Sequence, residues 1–327
     1  MTPPHKILVS DGLAEDGLTL LRSAGEVVFN PKLTTDELLA AIPDYDVLVV
    51  RSRTKVTAKV IEAGKNLKVI GRAGVGVDNI DVAAALARGI TIVNSPMAAS
   101  ISVAEHTLAL MLALARHLPA ADASLKEGRW EKSAFMGIEL SGKTLGLLGL
   151  GRIGALVANR ALAFGMDVMA YDPYLSEMQI IERHAQPAAF DEVIAQSDFL
   201  SLHLPLTRET RGLVGAAQFA QMKKGARLVC AARGGVVDED ALRAALDSGQ
   251  LAGAALDVFA AEPPLVDPRS AAEGAPGSIA AHPKVIATPH IGAQTREAQV
   301  RAGVAIAEEV VAVLQGKEPR WRVTSGE

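Results

Sequence analysis

Three glycines in the middle of the chain have the spacing of a phosphate-binding loop. They are Gly149, Gly151 and Gly154, and they follow a short apolar run at 145–148 and precede a helical pattern. The first glycine permits a tight turn, the second lets a pyrophosphate approach the backbone, and the third lets the helix pack on the strand. Free N–H groups at the start of that helix would bind the phosphates. This spacing favours the binding of a dinucleotide.

The context of the glycines decides between this interpretation and an ordinary glycine-rich turn. A second apolar run at 167–171 ends at Asp172, where a carboxylate can accept hydrogen bonds from the hydroxyl groups of an adenosine ribose. The carboxylate would repel a 2′-phosphate, and no arginine follows it before Arg183. We therefore predict that the chain binds NAD in preference to NADP.

Three charged side chains lie just beyond predicted strands, where open parallel sheets bind ligands. They are Arg233, Glu262 and His290. If a nicotinamide is bound, its substrate needs a cation for a carboxylate or carbonyl group and an acid/base for a hydroxyl group. A carboxylate beside an imidazole favours the protonated ring and fixes its orientation. Because each residue alone is more often a surface side chain, residue types alone leave this trio a hypothesis.

The elements that would position these residues alternate between strand and helix, which predicts parallel sheets with helices on their faces. In the second half we predict six strands, the number of a dinucleotide-binding domain, at 145–148, 167–171, 199–202, 227–230, 254–257 and 285–287. The stretch 263–283 is rich in Pro, Gly, Ala and Ser and predicts an irregular loop. A final helix is predicted at 295–314, with Gly316 ending it.

The first half predicts a second parallel sheet, with strands at 6–10, 27–29, 45–50, 67–70 and 90–93. Five residues follow its third and fourth strands, namely Arg51, Ser52, Arg72, Gly74 and Val75. Because they follow strand ends, we expect them at a ligand-binding edge and in contact with the substrate. The alternative is that the two arginines are solvated or structural.

A largely apolar helix is predicted between the two halves, at 102–117, where Ser102 and Glu105 have the spacing of a capping box. Because it is apolar on almost every face, either the core or a partner subunit must cover it. His106 on this helix is expected to be a hydrogen-bonded packing residue, and His203 is expected beside the cofactor. Four histidines without a partner pattern are expected to be solvated: His5, His117, His184 and His282. No spacing typical of a metal site occurs.

The composition excludes several classes of protein. The 327 residues suggest about two domains, and 49% hydrophobic with 21% charged residues is typical of a folded, soluble protein. A net charge of −4 gives no overall attraction for nucleic acid. The single cysteine, Cys230, excludes an intramolecular disulfide, and no apolar run has the length of a membrane span or a signal peptide. We therefore expect a cytoplasmic protein.

Five ordered motifs, spread over essentially the whole chain, resemble those of the D-isomer-specific 2-hydroxyacid dehydrogenases. They lie at 71–79 (GRAGVGVDN), 149–154 (GLGRIG), 232–239 (ARGGVVDE), 257–264 (DVFAAEPP) and 289–293 (PHIGA). The resemblance implies an NAD-binding Rossmann domain at 99–290 inserted into a flavodoxin-like substrate domain formed by 1–98 and 291–327. It also implies a homodimer, or a homotetramer, through the region of the helix at 102–117 and Trp130.

Carried over to the matching positions, the chemistry of the family gives the trio its roles. Arg233 would bind the substrate carboxylate and carbonyl, His290 would be the acid/base, and Glu262 would be its partner. Asp257 would lie near the nicotinamide carboxamide, and Lys132 would be offered across the dimer to a substrate phosphate. Further cofactor contacts are implied for Gly149, Gly151, Arg152, Ile153, Gly154, Asp172, His203, Leu204, Pro205, Cys230, Ala231, Ala232, His290 and Gly292.

Three departures from the family pattern concern the substrate and regulation. Cys230 stands where the family commonly has Asn, 97–99 reads Met-Ala-Ala in place of Gly-Gly-Asn, and the chain ends at Glu327 without a small-molecule-binding domain. The last departure argues against serine feedback through such a domain.

The leading substrate pair is 3-phosphoglycerate and 3-phosphohydroxypyruvate of serine biosynthesis, since the phosphoglycerate-oxidising members resemble this chain most. The alternative enzyme is a reductase of glyoxylate, hydroxypyruvate or another 2-keto acid. Two non-enzymatic alternatives are an NAD-sensing corepressor-like binding protein and a structural NAD-binding subunit. Neither of these would need the trio, so its presence favours an enzyme.

Overall fold

The computed structural model describes residues 4–262 and 278–324. Within these ranges the chain forms two compact units, one made of residues 4–99 and 293–324 and the other of residues 100–262 and 278–292. The second unit is therefore inserted into the chain of the first. The units divide after Ala99 and Gly292, whereas the predicted domain boundaries lie after residues 98 and 290.

The secondary structure of the described ranges alternates between strands and helices. The strands are β1 (His5–Val9), β2 (Gly25–Phe29), β3 (Val47–Val50), β4 (Val69–Arg72), β5 (Thr91–Asn94), β6 (Thr144–Leu148), β7 (Asp167–Tyr171), β8 (Gln186–Pro187), β9 (Phe199–Leu202), β10 (Ala226–Cys230), β11 (Leu251–Leu256) and β12 (Val285–Ala287). The α-helices are α1 (Glu15–Arg22), α2 (Thr35–Ala41), α3 (Ala58–Ala63), α4 (Val82–Ala87), α5 (Ser100–Arg116), α6 (Leu118–Lys126), α7 (Arg152–Ala163), α8 (Glu177–Glu182), α9 (Phe190–Gln196), α10 (Ala216–Gln221), α11 (Glu239–Asp247) and α12 (Arg296–Leu314).

The first unit contains a parallel sheet with the strand order β2-β1-β3-β4-β5. This is the flavodoxin-like order, whose switch point lies between β1 and β3. Successive residues of a strand face opposite sides, so Leu8 and Leu48 belong to one buried cluster and Val9 and Val49 to another. Burial on both faces explains why these strands are continuous apolar runs.

The final helix, α12, returns to cover one face of this sheet. Ile306 and Val310 are fully buried in the same cluster as the strand residues beneath them. Close packing between α1 and α12 depends on two glycines, because a Cβ on Gly17 would lie 2.5 Å from the carbonyl oxygen of Gly303. Thr295 begins the helix by accepting a hydrogen bond from the backbone N–H three residues later.

The second unit contains a parallel sheet with the strand order β12-β11-β10-β9-β6-β7-β8. Counted from β6, this is the order of a Rossmann domain with one further strand, and its switch point lies between β6 and β9. Leu147 and Val229 belong to the buried cluster on one face, and Leu148 and Leu228 to that on the other. The predicted fold, two doubly wound parallel sheets with a Rossmann domain inserted into a flavodoxin-like one, is confirmed.

One prediction about the second unit is wrong in part, and another falls largely outside the described residues. The sheet has a seventh strand, β8, which consists of only two residues and was not predicted because it has no detectable period. Of the irregular loop predicted at 263–283, residues 263–277 lie outside the described residues. The rest contains a turn of 3₁₀ helix at Ile279–Ala281, and the side chain of Ser278 caps it by accepting a hydrogen bond from Ala280 N.

The helix between the two units also differs from its prediction. α5 begins at Ser100 rather than at Ser102, which lies inside the first turn and is buried. α5 ends before His117, whose left-handed φ of +53° bends the chain into the unpredicted α6. Among the described residues, no single helix has the length and hydropathy of a membrane span. Only as a pair bent by 62° do α5 and α6 meet that criterion, by length and composition alone.

Candidate active site

The glycine loop follows β6 and leads directly into α7. Gly149 has a φ of +89°, and a Cβ there would lie 2.5 Å from the carbonyl oxygen of His203. A Cβ on Gly154 would lie 2.4 Å from the carbonyl oxygen of Gly149, so α7 begins tight against the loop. At Gly151, in contrast, no described atom lies within 4 Å of a Cβ position. Packing therefore requires the outer glycines, whereas the middle one leaves open space at a helix N-terminus, as a pyrophosphate requires.

His203, directly after β9, packs against the glycine loop at Gly149. Its Nε2 atom is 3.0 Å from Ser201 Oγ. Burial lowers the pKa of His203 to about 4, so the ring is neutral near pH 7. Its Nδ1 atom is buried and has no hydrogen-bond partner among the described residues. A buried polar atom of this kind beside an open glycine loop fits a site that a bound polar ligand completes.

Asp172, at the end of β7, is hydrogen-bonded to the glycine loop. Its Oδ2 atom accepts a hydrogen bond from Leu150 N at 2.9 Å, and its Oδ1 atom accepts one from Tyr174 N at 3.0 Å. Arg183 reaches the same loop from the end of α8, because its Nη1 atom donates to the Leu150 carbonyl oxygen at 2.6 Å. Shared contact with one residue holds the two charged groups at most about 9 Å apart. Arg183, the first arginine after Asp172 in the sequence, thus contacts the same loop, which the sequence did not predict.

Glu262 and His290 are in direct contact. His290 Nδ1 lies 2.9 Å from Glu262 Oε2 and 3.1 Å from Oε1. Burial alone would raise the pKa of Glu262, but the hydrogen bond and charge of His290 lower it below its ordinary value. His290 has a left-handed φ of +53°, and half of its side chain is exposed. Because a carboxylate holds Nδ1, Nε2 is the ring nitrogen that can exchange a proton with a substrate.

Arg233 lies in the loop after β10, and this loop packs on the one that carries Glu262. A Cβ on Gly234 would lie only 1.8 Å from the carbonyl oxygen of Phe259, so the two backbones touch. The guanidinium of Arg233 donates through Nη1 to the carbonyl oxygen of Ala232 at 2.7 Å. Glu262 and His290 are therefore in direct contact, and the loop that contains Arg233 packs against the loop that contains Glu262.

Two further contacts hold these loops. Glu239, at the start of α11, accepts a hydrogen bond from Ala260 N at 2.6 Å. The Sγ atom of Cys230 lies 3.9 Å from the carbonyl oxygen of Arg233. Burial raises the pKa of Cys230 to about 11, so this residue is an uncharged thiol in contact with the backbone of the Arg233 loop.

Asp257 lies beneath residues 288–292, which we call the acid/base loop because it contains His290. Its Oδ1 atom accepts a hydrogen bond from Ile291 N at 2.8 Å, and its Oδ2 atom accepts one from Gly292 N at 2.8 Å. Burial alone would raise the pKa of Asp257, but hydrogen bonds from His106 and from the loop lower it, so the buried carboxylate is ionised. Its contact with the nicotinamide carboxamide stays a prediction. No sequence pattern indicates that it holds this loop.

In the first unit, a buried carboxylate organises the loop that contains Arg51 and Ser52. Asp11 Oδ2 accepts a hydrogen bond from Arg51 N at 2.6 Å, and Oδ1 accepts one from Arg53 Nε at 3.1 Å. Asn79 donates to the carbonyl oxygen of Arg51 at 2.7 Å. Burial lowers the pKa of Arg51, and the charge of Asp11 opposes this shift. The loop is thus fixed at the switch point between β1 and β3, where ligands bind in such sheets.

Arg72 and the turn after it are packed together at the end of β4. The guanidinium of Arg72 occupies the space beside Gly74, because a Cβ on this glycine would lie 1.4 Å from Arg72 Nη1. Gly74 also has a φ of +151°, which a side chain would strain. The carbonyl oxygen of Val75 accepts a hydrogen bond from Asn94 at 2.7 Å. The substrate contacts of these three residues stay predictions.

Two histidines that the sequence predicts as solvated have acidic partners. His282 is buried, and its Nε2 atom lies 3.1 Å from Asp247 Oδ1. His5 is half-buried, with Nδ1 3.9 Å from Asp46 Oδ2. Both partners are distant in sequence, so no local pattern could reveal them. Within residues 4–262 and 278–324, no group of three or more His, Cys, Asp or Glu side chains is arranged to bind a metal ion.

Comparison with known proteins identifies relatives along almost the whole chain. Residues 108–292 match the family model described as "D-isomer specific 2-hydroxyacid dehydrogenase, NAD binding domain". A D-3-phosphoglycerate dehydrogenase of Archaeoglobus fulgidus is 49% identical over 312 residues, covering 95% of this chain and 58% of that protein. A hydroxypyruvate reductase of Thermotoga maritima is 48% identical over 307 residues, covering 94% of this chain and 97% of the reductase. Among solved structures, the TT0316 protein of Thermus thermophilus has a TM-score of 0.85 at 37% identity, covering 98% of this chain and 100% of that one.

The matched region contains the main features of the candidate site. The glycine loop, Asp172, Arg233, Glu262 and His290 all lie within residues 108–292. The chain spans only 58% of the length of the phosphoglycerate dehydrogenase of Archaeoglobus fulgidus, but 97% of the length of the Thermotoga maritima reductase. By motifs, fold and similarity, the chain belongs to the family of D-isomer-specific 2-hydroxyacid dehydrogenases.

Proposed function

We propose that this protein is an NAD-dependent dehydrogenase that transfers a hydride between NAD(H) and a D-2-hydroxy acid or its 2-keto acid. The leading substrate pair is 3-phosphoglycerate and 3-phosphohydroxypyruvate. The observation that carries the proposal is the contact of His290 with Glu262 at 2.9 Å, beside the Arg233 loop and in the same unit as the open glycine loop. A structural or purely cofactor-sensing protein would not need a half-exposed imidazole held by a carboxylate.

The glycine loop and its surroundings fit an NAD cofactor. Backbone N–H groups of Arg152 and Ile153 at the start of α7 would bind the pyrophosphate in the space beside Gly151. Asp172 would bind the adenosine ribose and disfavour a 2′-phosphate, although Arg183 adds a positive charge nearby. A nicotinamide bound in this site would supply or accept the hydride.

The chain's own residues bind the substrate and move the proton. Arg233 binds the carboxylate of a 2-keto acid and donates a hydrogen bond to its carbonyl oxygen. During reduction, His290 donates its Nε2 proton to that oxygen, and the carbonyl becomes a hydroxyl group when its carbon also receives the hydride that a bound nicotinamide would supply. During oxidation, His290 takes the hydroxyl proton instead. In both directions Glu262 stabilises the protonated imidazole. By holding Nδ1, it also orients the ring so that Nε2 points away from Glu262.

A phosphorylated substrate needs cations besides the one that holds its carboxylate. Arg51 and Arg72 in the first unit and the exposed Lys132 in the second are the residues that we propose for the phosphate. A second candidate function is the reduction of hydroxypyruvate or glyoxylate. Two observations favour it: the relative matched along 97% of its length is a hydroxypyruvate reductase, and the buried Ala99 lacks the side-chain amide of the usual motif.

Exposed apolar side chains support the proposal of a homodimer. Large apolar side chains of α6 and of the segment after it are exposed, and the most exposed are Trp130 at 85% and Met136 at 84%. Contact of such side chains with water is unfavourable, and a second copy of the chain would remove it. Lys132 lies between these two residues in the sequence, which supports its proposed contribution across the dimer. Sedimentation of the purified protein tests the oligomeric state.

The substrate is tested by following NADH oxidation by the purified protein with 3-phosphohydroxypyruvate, hydroxypyruvate, glyoxylate and pyruvate. We expect the highest kcat/KM with 3-phosphohydroxypyruvate. A preference for hydroxypyruvate or glyoxylate would replace the phosphoglycerate assignment with the reductase. Absence of turnover with every 2-keto acid, despite measurable NADH binding, would favour the corepressor-like alternative.

A further inference from the structure

A hydrogen-bond network links α5 to the acid/base loop. His106 on α5 has its Nε2 atom 3.2 Å from Thr288 Oγ1 and 3.3 Å from Asp257 Oδ1. The Thr288 hydroxyl donates to the same Asp257 oxygen at 2.6 Å. The network is largely shielded from water, since the side chain of His106 is 18% exposed and that of Asp257 is 2% exposed. Within this unit, α5 thus contacts a loop 182 residues further along the chain.

The direction of these hydrogen bonds fixes the tautomer of His106. The hydroxyl of Thr288 has one hydrogen, which is donated to Asp257, so it can offer His106 only a lone pair. The carboxylate of Asp257 is ionised and is also only an acceptor. His106 Nε2 must therefore carry a hydrogen and donate it to these two oxygens.

The network ends on the backbone on both sides of His290. Before it, Thr288 N donates to the carbonyl oxygen of Leu256 at 3.0 Å, and His290 N donates to the carbonyl oxygen of Thr288 at 2.9 Å. After it, two consecutive N–H groups donate to Asp257. A left-handed φ is unfavourable for a non-glycine residue, so the conformation of His290 depends on these surrounding contacts.

The acid/base loop also packs directly on α5. A Cβ on Gly292 would lie 3.0 Å from Asp257 Oδ2, 3.5 Å from a methyl group of Val103 and 3.7 Å from the ring of His106. The end of the loop therefore lies in van der Waals contact with the helix. A change in the position of His106 is transmitted to the loop backbone by contact as well as by hydrogen bonds.

We infer that His106, acting through Thr288 and Asp257, is a positioning residue that sets the direction of the His290 ring toward the substrate. This inference rests on the proposed function, in which His290 transfers the proton. His106 itself does not touch the reacting atoms. It holds the backbone from which His290 presents Nδ1 to Glu262 and Nε2 to the substrate, and small displacements of such a group slow a reaction strongly.

The kinetic test removes the donor or the hydroxyl while keeping the volume. We expect Thr288→Val and His106→Leu to lower kcat by about 10–100-fold, with the KM for NADH changed by less than about twofold. Thr288→Ser keeps the hydroxyl and His106→Gln keeps a donor at the position of Nε2, so both should retain kcat within about threefold. The matched control is Thr107→Val on the same helix, because the Thr107 hydroxyl bonds to Val103 of its own helix, at 2.8 Å. This control should have wild-type kinetics.

A spectroscopic test does not depend on activity. In ¹⁵N-histidine NMR spectra of the unaltered protein, His106 should be protonated at Nε2, its signals being assigned from their loss in His106→Gln. The His290 signals should shift in Thr288→Val and not in Thr107→Val. Protonation of His106 only at Nδ1 would overturn the inference even if Thr288→Val or His106→Leu failed to fold. So would an active enzyme in which both Thr288→Val and His106→Leu keep the wild-type kcat. Inactivity of the unaltered protein with every 2-keto acid would instead count against the proposed function.

Discussion

At the scale of single residues, His290 has a left-handed backbone conformation. Its ring is hydrogen-bonded to the Glu262 carboxylate and is half exposed to solvent. Replacing it with alanine should lower turnover by about 10²–10⁴-fold, because the reaction loses its general acid/base. NADH binding, measured by fluorescence titration, should stay within about twofold. His117→Ala is the matched control, since His117 also has a φ of +53° but lies at the junction of α5 and α6 rather than in the acid/base loop. Wild-type turnover of His290→Ala would exclude His290 as the proton donor.

Glu262 should decide the pH range in which His290 works. The pKa of Glu262 is lowered, so its carboxylate is ionised throughout the usual assay range and stabilises a protonated imidazole. In Glu262→Gln the negative charge beside the imidazole is lost. The fall of kcat/KM for ketone reduction with rising pH should therefore move to lower pH by about one unit, and the rate should also decrease. An unchanged pH profile would remove Glu262 from this role.

Cofactor choice should depend on two opposite charges beside Leu150. We expect the wild type to use NADH with a higher kcat/KM than NADPH, because Asp172 repels a 2′-phosphate. Asp172→Asn should lower this preference by about tenfold or more, whereas Arg183→Ala should raise it, since Arg183 is the nearby cation that bonds to the loop. Steady-state kinetics with both cofactors measure these ratios. Equal efficiency of the wild type with NADH and NADPH would contradict the prediction.

At the scale of elements, the site depends on loops that touch through a glycine. A Cβ on Gly234 would meet the carbonyl oxygen of Phe259 at 1.8 Å, and both atoms belong to backbone that cannot rotate away. Gly234→Ala should therefore separate the Arg233 loop from the Glu262 loop, lowering stability by about 1–3 kcal/mol and kcat/KM by about 10²-fold.

Thermal unfolding and kinetics measured on the same preparation test this prediction. The control is Gly215→Ala in the same unit, because its φ is −129° and the nearest atom to its Cβ position is 3.6 Å away. If Gly234→Ala and the control behave alike, close packing of the two loops is not what positions Arg233.

Some strands could be predicted from the sequence to the residue, whereas the start of one helix could not. β7, β9 and β12 have the predicted bounds, because each is a short, mainly apolar run that ends directly before a polar residue. The start of α5 was misplaced, because the Ser102–Glu105 spacing of a capping box also occurs inside a helix that begins earlier. A two-residue strand such as β8 contains no repeat from which it could be recognised.

At the scale of the whole molecule, the proposed contacts with the substrate phosphate can be tested by removing single charges. Replacing Arg51 or Lys132 with alanine should raise the KM for 3-phosphohydroxypyruvate by about tenfold or more and leave that for glyoxylate within about twofold, because glyoxylate has no phosphate. Lys126→Ala is the control, since Lys126 is exposed and paired with Asp122 on α6. Equal losses for both substrates would assign Arg51 and Lys132 a structural role.

The whole chain also shows which parts of the site the sequence could reveal. Residue types and motifs were sufficient to select Arg233, Glu262 and His290, since each follows a strand of the same sheet. They could not reveal Arg183 beside Leu150 or His106 beneath the acid/base loop, because these contacts join residues that are far apart in the sequence. Such positions are fixed by how helices pack on the sheet, which no local pattern encodes.

The shortest strand of the second sheet has a consequence for how copies of the protein behave in a crowded solution. Directly after β8, Ala188 N donates to the Ala170 carbonyl oxygen of β7, so the alternation along a strand turns the nitrogen of Pro187 outward. Proline has no N–H there, and the neighbouring residues are too few to form a ladder with a strand from another molecule. The β8 edge of the sheet is therefore a poor template for intermolecular β-pairing, which protects this edge against the growth of aggregates.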